Sequence, residues 1–251
     1  MSCYSMSRAT QMSWVLGLAF LVSGCATGSN ANPKDPLEPM NRSIASFNDT
    51  VDDNVLKPVA IGYRDRMPVL LQKSVNNVFR NLSDVWATVN NGLQLKGRDT
   101  AESCLRVAVN TVFGIYGIFD VATEIGLARH PEDFGQTLGY WGMPSGPYLV
   151  LPLLGPSTLR DAASIPIDNR GDFVRQYNDV AVRNSAMVVR IVDKRANLLQ
   201  ATGMMSDAAI DRYSFTRDSY LQFRRNQVYD GYPPDDELVD PSAEISLKSS
   251  K

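Results

Sequence analysis

The side chains with the most potential for catalysis lie around His130, the single histidine of this 251-residue chain. Asp133 and Ser145 follow it closely, so the residue types of a hydrolytic triad, in which the imidazole activates the serine, occur in one short stretch. However, Ser145 is not framed by the Gly-x-Ser-x-Gly elbow that exposes such a nucleophile, and His130 precedes Pro131 in a predicted turn. We therefore predict that the protein is not an enzyme, with a hydrolase as the alternative.

Other motifs for catalysis or cofactor binding are missing from the sequence. It contains no His-Glu-x-x-His, Cys-x-x-Cys, EF-hand loop, Walker loop or dinucleotide fingerprint. The carboxylates at 52–53 and 235–237 are predicted to be solvated surface. The chain has 25 basic and 27 acidic residues and no basic block, which gives no electrostatic basis for binding nucleic acid. We predict no metal, cofactor or nucleotide site.

Cys25 has a different chemistry, because it directly follows an apolar N-terminal segment. Arg8 is the only charge before the apolar run 14–22, which is followed by the small residues Ser23 and Gly24. A run of about nine apolar residues is typical of an export signal and far shorter than the ~20 needed to cross a bilayer. Residues 22–25 (Val-Ser-Gly-Cys) resemble the lipobox of bacterial lipoproteins, in which the cysteine carries the lipid. We predict that residues 1–24, starting at Met1 or Met6, are a signal peptide and that Cys25 is lipidated.

The residues beside Cys25 indicate a destination and a tether. Ala26 replaces the Asp that usually retains such lipoproteins in the inner membrane, so we predict lipid anchoring at the periplasmic face of the outer membrane. Small polar residues predict a flexible tether at 25–34, and residues 231–251 are predicted to be a disordered tail. Cys104 is predicted to be a small core residue.

Residues 35–230 are predicted to form one mainly α domain. Apolar side chains recur at spacings of three and four residues, as at Ile44, Phe47, Val51 and Val55, or at Leu82, Val85, Trp86, Val89 and Leu93. Pro68 is well placed to open a helix, and further helices are predicted at about 175–200 and 206–229.

Two segments depart from this helical pattern. Residues 134–159 contain no charge, and nine of these 26 residues are Gly or Pro, which predicts a short non-helical hairpin segment. It is either an apolar loop crossing the core or the lining of an apolar passage. Residues 105–121 are apolar on more than one face, which predicts a helix either buried in the core or in contact with lipid.

Several blocks of residues, in order along the chain, carry a resemblance to a known family. They are 35–42 (Asp-Pro-Leu-Glu-Pro-Met-Asn-Arg), 56–60, 79–82 (Phe-Arg-Asn-Leu), 91–97, 106–122, 132–139, 146–161, and the set Tyr213, Arg217, Tyr220, Gln222 and Arg224. Together they span roughly residues 35–230. They resemble the MlaA (VacJ) family of outer-membrane lipoproteins.

The resemblance implies a ring-like helical domain that lies in one membrane leaflet around an amphipathic channel. Such proteins take mislocalised phospholipids from the outer leaflet of the outer membrane and pass them to a periplasmic carrier, MlaC. They also associate with trimeric porins. The resemblance therefore implies phospholipid transport that maintains lipid asymmetry. The alternatives are a structural lipoprotein that partners a porin, and a phospholipase using Ser145 and His130.

The resemblance also suggests which polar residues contact the lipid as it passes through the channel. The candidates for the channel or headgroup path are Asn110, Thr111, Asp120, Arg160 and Asp161. The alternative for Asn110, Asp120 and Asp161 is that they cap helices and stabilise turns of the scaffold.

Overall fold

The computed structural model describes residue 32 and residues 35–234, except for the side chains of 205–208. The predicted signal peptide, Cys25 with its lipid, and nearly all of the predicted tether and tail lie outside these residues. The described chain is mainly helical, as predicted, and contains one β-hairpin. Its elements are α1 (Glu38–Val51), a π-helical turn (Asp52–Leu56), α2 (Lys57–Arg66), α3 (Val69–Leu93), α4 (Gly97–Val112), α5 (Val121–Glu124), α6 (Phe134–Tyr140), β1 (Tyr148–Leu151), β2 (Gly155–Thr158), α7 (Leu159–Gly171), α8 (Phe173–Gln176), α9 (Val180–Ala208) and α10 (Arg212–Val228).

The helices begin where local chemistry favours a start. Pro68 is the N-cap of α3, which continues through the predicted 82–93 segment as one helix of 25 residues. Side-chain oxygens accept hydrogen bonds from free backbone amides in the first turn of two other helices. Asp133 accepts from Gln136 N at the start of α6, and Thr158 accepts from Asp161 N at the start of α7. The last two helices begin a few residues later than predicted.

The helices pack as two main pairs, with α4 along α3 and α9 along α2. The hairpin is antiparallel, pairing Tyr148 with Thr158 and Leu151 with Gly155. Its first strand lies against α1. In the part of the chain that the structure describes, no helix combines the length and apolarity needed to span a bilayer.

The predicted non-helical segment 134–159 is partly wrong. Its first seven residues form helix α6, which begins at the N-cap Asp133. The two glycines within this helix allow side chains of other elements to approach closely. Only residues 148–158 form the hairpin.

The predicted helix 105–121 is also too long. Helix α4 ends at Val112, and the chain then turns with positive φ at Ile115, Tyr116 and Gly117. A Cβ on Gly114 would lie 2.2 Å from Phe119 O, so the chain can fold back there only at glycine. Cys104, predicted to be in the core, is exposed on α4.

Burial is inverted relative to an average soluble protein. Among the described residues, nine buried residues are hydrophobic, mostly Ala and Val, whereas twenty are polar or charged. Forty large hydrophobic side chains are exposed, with Leu70 at 77% and Tyr116 at 78%. Large apolar side chains are normally enriched inside water-soluble domains, and polar residues are rarely buried in such numbers. The domain therefore has a polar interior and an apolar exterior.

Gly171 allows α7 to approach α3 closely, and this contact yields a prediction. A Cβ on Gly171 would lie 2.1 Å from Trp86 Cδ2, while Trp86 is held by donating to Asp168 Oδ1 at 2.8 Å. We expect Gly171→Ala to lower the free energy of unfolding by about 1–3 kcal/mol through overpacking. The matched control is Gly62→Ala within α2, where no atom lies within 4 Å. It should stabilise by about 0.5–1 kcal/mol through helix propensity. Urea denaturation measures both, and equal effects would contradict the assigned contact.

Candidate functional site

A buried cluster of charged residues joins α6, α7 and α10. Asp161 lies in the first turn of α7, where Arg160 Nε contacts its Oδ1 at 2.9 Å. Arg224 of α10 donates from Nε to Asp161 Oδ2 at 2.9 Å and from Nη1 to Asp133 Oδ2 at 2.7 Å. Tyr220 donates to Asp161 Oδ2 at 3.2 Å. These five residues (Asp133, Arg160, Asp161, Tyr220 and Arg224) are called the arginine–aspartate cluster.

The charges of this cluster balance, with two guanidinium groups against two carboxylates. Burial alone raises the pKa of Asp161, but the hydrogen bonds and positive charge of Arg224 and Arg160 outweigh it and lower that pKa below its usual value. Burial and the neighbouring Asp161 raise the pKa of Tyr220. Burial lowers the pKa of Arg224, yet Asp133 and Asp161 raise it further than burial lowers it. Asp161 and Arg224 are therefore ionised at neutral pH, with Tyr220 as a neutral donor.

Two glycines of α6 make room for this cluster. A Cβ on Gly135 would lie 2.5 Å from Asp161 Oδ1, and a Cβ on Gly139 would lie 2.5 Å from Arg160 Nη1. Both glycines are therefore needed for a close approach to charged groups. The sequence shows them only as helix breakers, and their spacing of four residues, which puts them on one helix face, is the signal that points to this contact.

A cavity of about 1120 Å³ lies beside the cluster, between α6, the loop that follows it, and α10. Its wall includes Gly139 and Met143 on one side and Phe223, Val228 and Tyr229 on the other. Arginine side chains from the cluster and from Arg225 also reach it. Of the five candidates for the lipid path, only Arg160 lines this cavity.

Asn110 and Asp120 form a second polar group around the buried Arg106, whereas Thr111 contacts Asn81. Arg106 Nη2 and Asn110 Nδ2 each donate to Asp120 Oδ1 at 3.0 Å. Asn81 donates to Thr111 Oγ1 at 3.1 Å. Burial raises the pKa of Asp120, but hydrogen bonds from Thr123 and Asn110 and the charge of Arg106 give a net lowering. These contacts match the cap-and-turn alternative, and a role in the lipid path stays a prediction.

This second group supports an apolar turn at 113–119. Asp120 caps α5, while Asn110 Oδ1 accepts from Ala122 N at 2.8 Å, so both ends of the turn are fixed. Phe113 and Tyr116 are largely exposed on it. Positive φ at Ile115 and Tyr116 costs energy for residues with side chains, which indicates that the surrounding contacts hold the turn in this shape.

The triad residues considered for a hydrolase do not meet. His130 Nε2 contacts Glu102 Oε2 at 2.9 Å, Ser145 donates only to Gly146 O at 3.4 Å, and Asp133 pairs with Arg224. No hydrogen bond connects His130 with Ser145 in the described range. The structure does bring Asp99, Glu102 and His130 together, with ligand atoms within 4.8 Å of one another. The imidazole lies between the two carboxylates and hydrogen bonds to one of them, which accounts for the group as a polar contact.

Two asparagines of α1 hold the hairpin, a role that the sequence alone does not reveal. Asn41 donates to Tyr148 O at 3.0 Å and accepts from Val150 N at 2.9 Å. Asn48, seven residues later on the same helix face, donates to Leu151 O at 2.9 Å and accepts from Leu153 N at 2.8 Å. An asparagine amide offers the same donor and acceptor as a peptide group, so each side chain replaces a strand partner.

Comparisons with known proteins agree with this architecture. A family model described as "MlaA lipoprotein" matches residues 33–227. The Escherichia coli K12 protein named intermembrane phospholipid transport system lipoprotein MlaA is 30% identical over 221 residues, covering 82% of this chain and 84% of that protein. A protein of Rickettsia bellii is 33% identical over 195 residues, covering 77% of this chain and 76% of that protein.

A solved structure has the same fold as this chain. It was described under the heading "Structural basis for maintenance of bacterial outer membrane lipid asymmetry". It superposes with a TM-score of 0.68 at 32% identity, covering 77% of this chain and 98% of that chain. The family match spans well over half of the chain, and the resemblance seen in the sequence is confirmed. This chain belongs to the MlaA lipoprotein family.

Proposed function

We propose that this protein removes mislocalised phospholipids from the outer leaflet of the outer membrane and hands them to a periplasmic carrier, thereby maintaining lipid asymmetry. The E. coli relative is named for intermembrane phospholipid transport, and the matching structure for outer-membrane lipid asymmetry. In this proposal the protein is anchored at the periplasmic face by lipid on Cys25. The carrier is MlaC-like, and a trimeric porin is the membrane partner.

The inverted burial carries this proposal. A domain with a polar interior and forty exposed large hydrophobic residues among those described is favourable only where lipid or another apolar surface covers its exterior. At about 25 cal/mol per Å² of apolar surface, leaving such an exterior in water has a large cost. A domain lying in one leaflet avoids this cost while keeping polar groups inside for a headgroup. The proposed arrangement is a ring-like helical domain around an amphipathic channel.

The five polar candidates have different places in this proposal. Arg160 and Asp161 belong to the cluster beside the cavity, where Arg160 would face the headgroup path and Asp161 would orient its guanidinium. Asn110, Thr111 and Asp120 would act at the other polar group, beneath the exposed turn 113–119. That turn would enter the acyl region, since Phe113 and Tyr116 are presented outward on a fixed backbone.

The decisive test of transport is the outer-leaflet phospholipid content of cells that lack this gene. We expect it to rise, because retrograde removal would stop, and to return to normal when the gene is restored. The measurement is labelling of surface-exposed phosphatidylethanolamine with an amine reagent that does not cross the membrane. Unchanged labelling in the deletion strain would contradict the proposal.

A reconstituted transfer assay separates transport from a purely structural role beside a porin. The mature lipoprotein in liposomes, offered a soluble carrier, should release labelled phospholipid to it. If the protein binds a trimeric porin but passes no lipid to the carrier, it is a structural lipoprotein that partners the porin, and the transport proposal is wrong. Release of fatty acid or lysolipid that disappears in Ser145→Ala would instead indicate a phospholipase.

A further inference from the structure

Arg160 is a buried cation with unused hydrogen-bonding capacity. A guanidinium group has five N–H donors. Arg160 uses Nε and one N–H of Nη2 on Asp161 Oδ1, each at 2.9 Å, and Nη1 reaches Met143 O only at 3.4 Å. The second N–H of each terminal nitrogen has no acceptor among the residues that the structure describes. The side chain is only 5% exposed and lines the cavity, so a group bound in the cavity is placed to accept from these donors.

The other cluster arginine is not available in this way. Arg224 contacts Asp133, Asp161 and Gln227 with Nε and both terminal nitrogens, which uses all of its donors. The carboxylates that balance the cluster, Asp133 and Asp161, do not line the cavity. The carboxylate that does line it, Asp218, is bonded to Arg217 at 2.8 Å. The cavity wall therefore favours an anion, and Arg160 is the group placed to bind it.

The rest of the wall suits a ligand that is also apolar. Met143 and Pro144 come from the loop after α6, and Leu221, Phe223 and Val228 come from α10. The cavity of about 1120 Å³ is slightly larger than the range of roughly 300–1,000 Å³ typical of small-molecule sites. It has room for a charged group together with part of an apolar chain. An oxyanion with two free oxygens matches the two remaining donors of a guanidinium fork.

We propose that this cavity binds the phosphate group of a glycerophospholipid and that Arg160 contacts its oxygens through the two free N–H donors. Asp161 has a separate task, because it orients the Arg160 guanidinium and does not touch the ligand. Gly139 keeps the space into which this guanidinium projects, since a Cβ there would lie 2.5 Å from Arg160 Nη1. The inference deepens the proposed transport function, on which the choice of a lipid rests, and names the chemical group that is recognised.

The test is a binding titration of the mature full-length protein in an uncharged maltoside detergent. The probes are dihexanoyl phosphatidylglycerol, dihexanoylglycerol, which lacks the phosphate, and inorganic phosphate. We expect the phosphatidylglycerol to bind at least tenfold more tightly than either of the others. Arg160→Gln should reduce its affinity at least tenfold and leave dihexanoylglycerol unaffected. The matched control Arg64→Gln removes a half-exposed arginine, paired with Asp65 and away from the cavity wall, and should bind as the native protein does.

Three results would overturn this inference. The first is that Arg160→Gln binds phosphatidylglycerol as tightly as the native protein does. The second is that the native protein binds dihexanoylglycerol as tightly as phosphatidylglycerol. The third is that the native protein binds inorganic phosphate as tightly as phosphatidylglycerol. If Arg160→Gln fails to fold by circular dichroism, Gly139→Ala replaces it, because a Cβ displaces the guanidinium while keeping the charge. Gly139→Ala should also weaken phosphatidylglycerol binding, and unchanged binding would count against the site. Binding without membranes is independent of outer-leaflet labelling, so failure of this site and failure of transport are distinguishable.

Discussion

Replacing Asp161 with alanine is expected to lower the free energy of unfolding by about 3–5 kcal/mol, because it leaves buried positive charge without its partner. The Asp161 side chain is 8% exposed and contacts both Arg160 and Arg224. Arg224 would keep Asp133, but Arg160 would lose its only carboxylate among the described residues. Guanidinium denaturation followed by circular dichroism measures the change.

The control for this prediction is Asp218→Ala on the neighbouring helix. Asp218 also pairs with an arginine, Arg217, but its side chain is 64% exposed. Water can solvate the remaining charge there, so the loss should stay within about 1 kcal/mol. Similar losses for Asp161→Ala and Asp218→Ala would show that burial does not decide the effect.

The same carboxylate gives a pH dependence whose sign can be stated. The pKa of Asp161 is lowered in the folded protein, since Arg224 and Arg160 outweigh the effect of burial. Its contribution to stability is therefore fully present above the ordinary pKa of 3.8 and is lost as the pH falls through the folded value. Native protein should lose this stability in acid. Asp161→Asn should show a smaller loss over the same window, and identical acid profiles would contradict the pairing.

Asn41→Ala is expected to cost about 3 kcal/mol of stability, because buried backbone groups would lose their hydrogen-bond partner. The Asn41 side chain donates to Asp35 Oδ1 and to Tyr148 O, and accepts from Val150 N. Asn41 is completely buried, so no water can replace these contacts. We expect the hairpin to detach from α1 as well. Hydrogen exchange of the Val150 amide, followed by mass spectrometry or NMR, should become markedly faster.

Asn48→Ala is the matched control, because Asn48 makes the equivalent pair of contacts from the same helix. Its acceptor and donor, Leu151 O and Leu153 N, lie at the more exposed end of the hairpin. Water can replace the amide there, so the expected loss is about 1 kcal/mol. Equal losses for the two variants, or unchanged exchange at Val150, would remove Asn41 as the main support of the hairpin.

Local order in the sequence was enough to predict the helical class and the start of α3 at Pro68. The three- and four-residue spacing of apolar residues, Pro68 and the family motifs depend on residues close together in the chain. The same spacing does not predict which face of each helix is buried in the domain, because many apolar residues of these helices are exposed on its surface. The usual inference from apolar to buried therefore failed for Cys104, and of the two alternatives for residues 105–121 the exposure of Phe113 and Tyr116 rules out burial of the turn in the core.

By itself the sequence determined the mainly α fold, the presence of a hairpin though not its bounds, and the family, because these follow from periodicity and motifs along the chain. Only the tertiary structure decided the site. Asp133 and Arg224 are 91 residues apart, and Asn41 and Tyr148 are 107 apart, yet each pair is in hydrogen-bond contact. Whether a charged residue is a surface residue or part of a buried network depends on such distant partners. The free donors of Arg160, and with them the proposed phosphate site, become visible only when every acceptor around it is known.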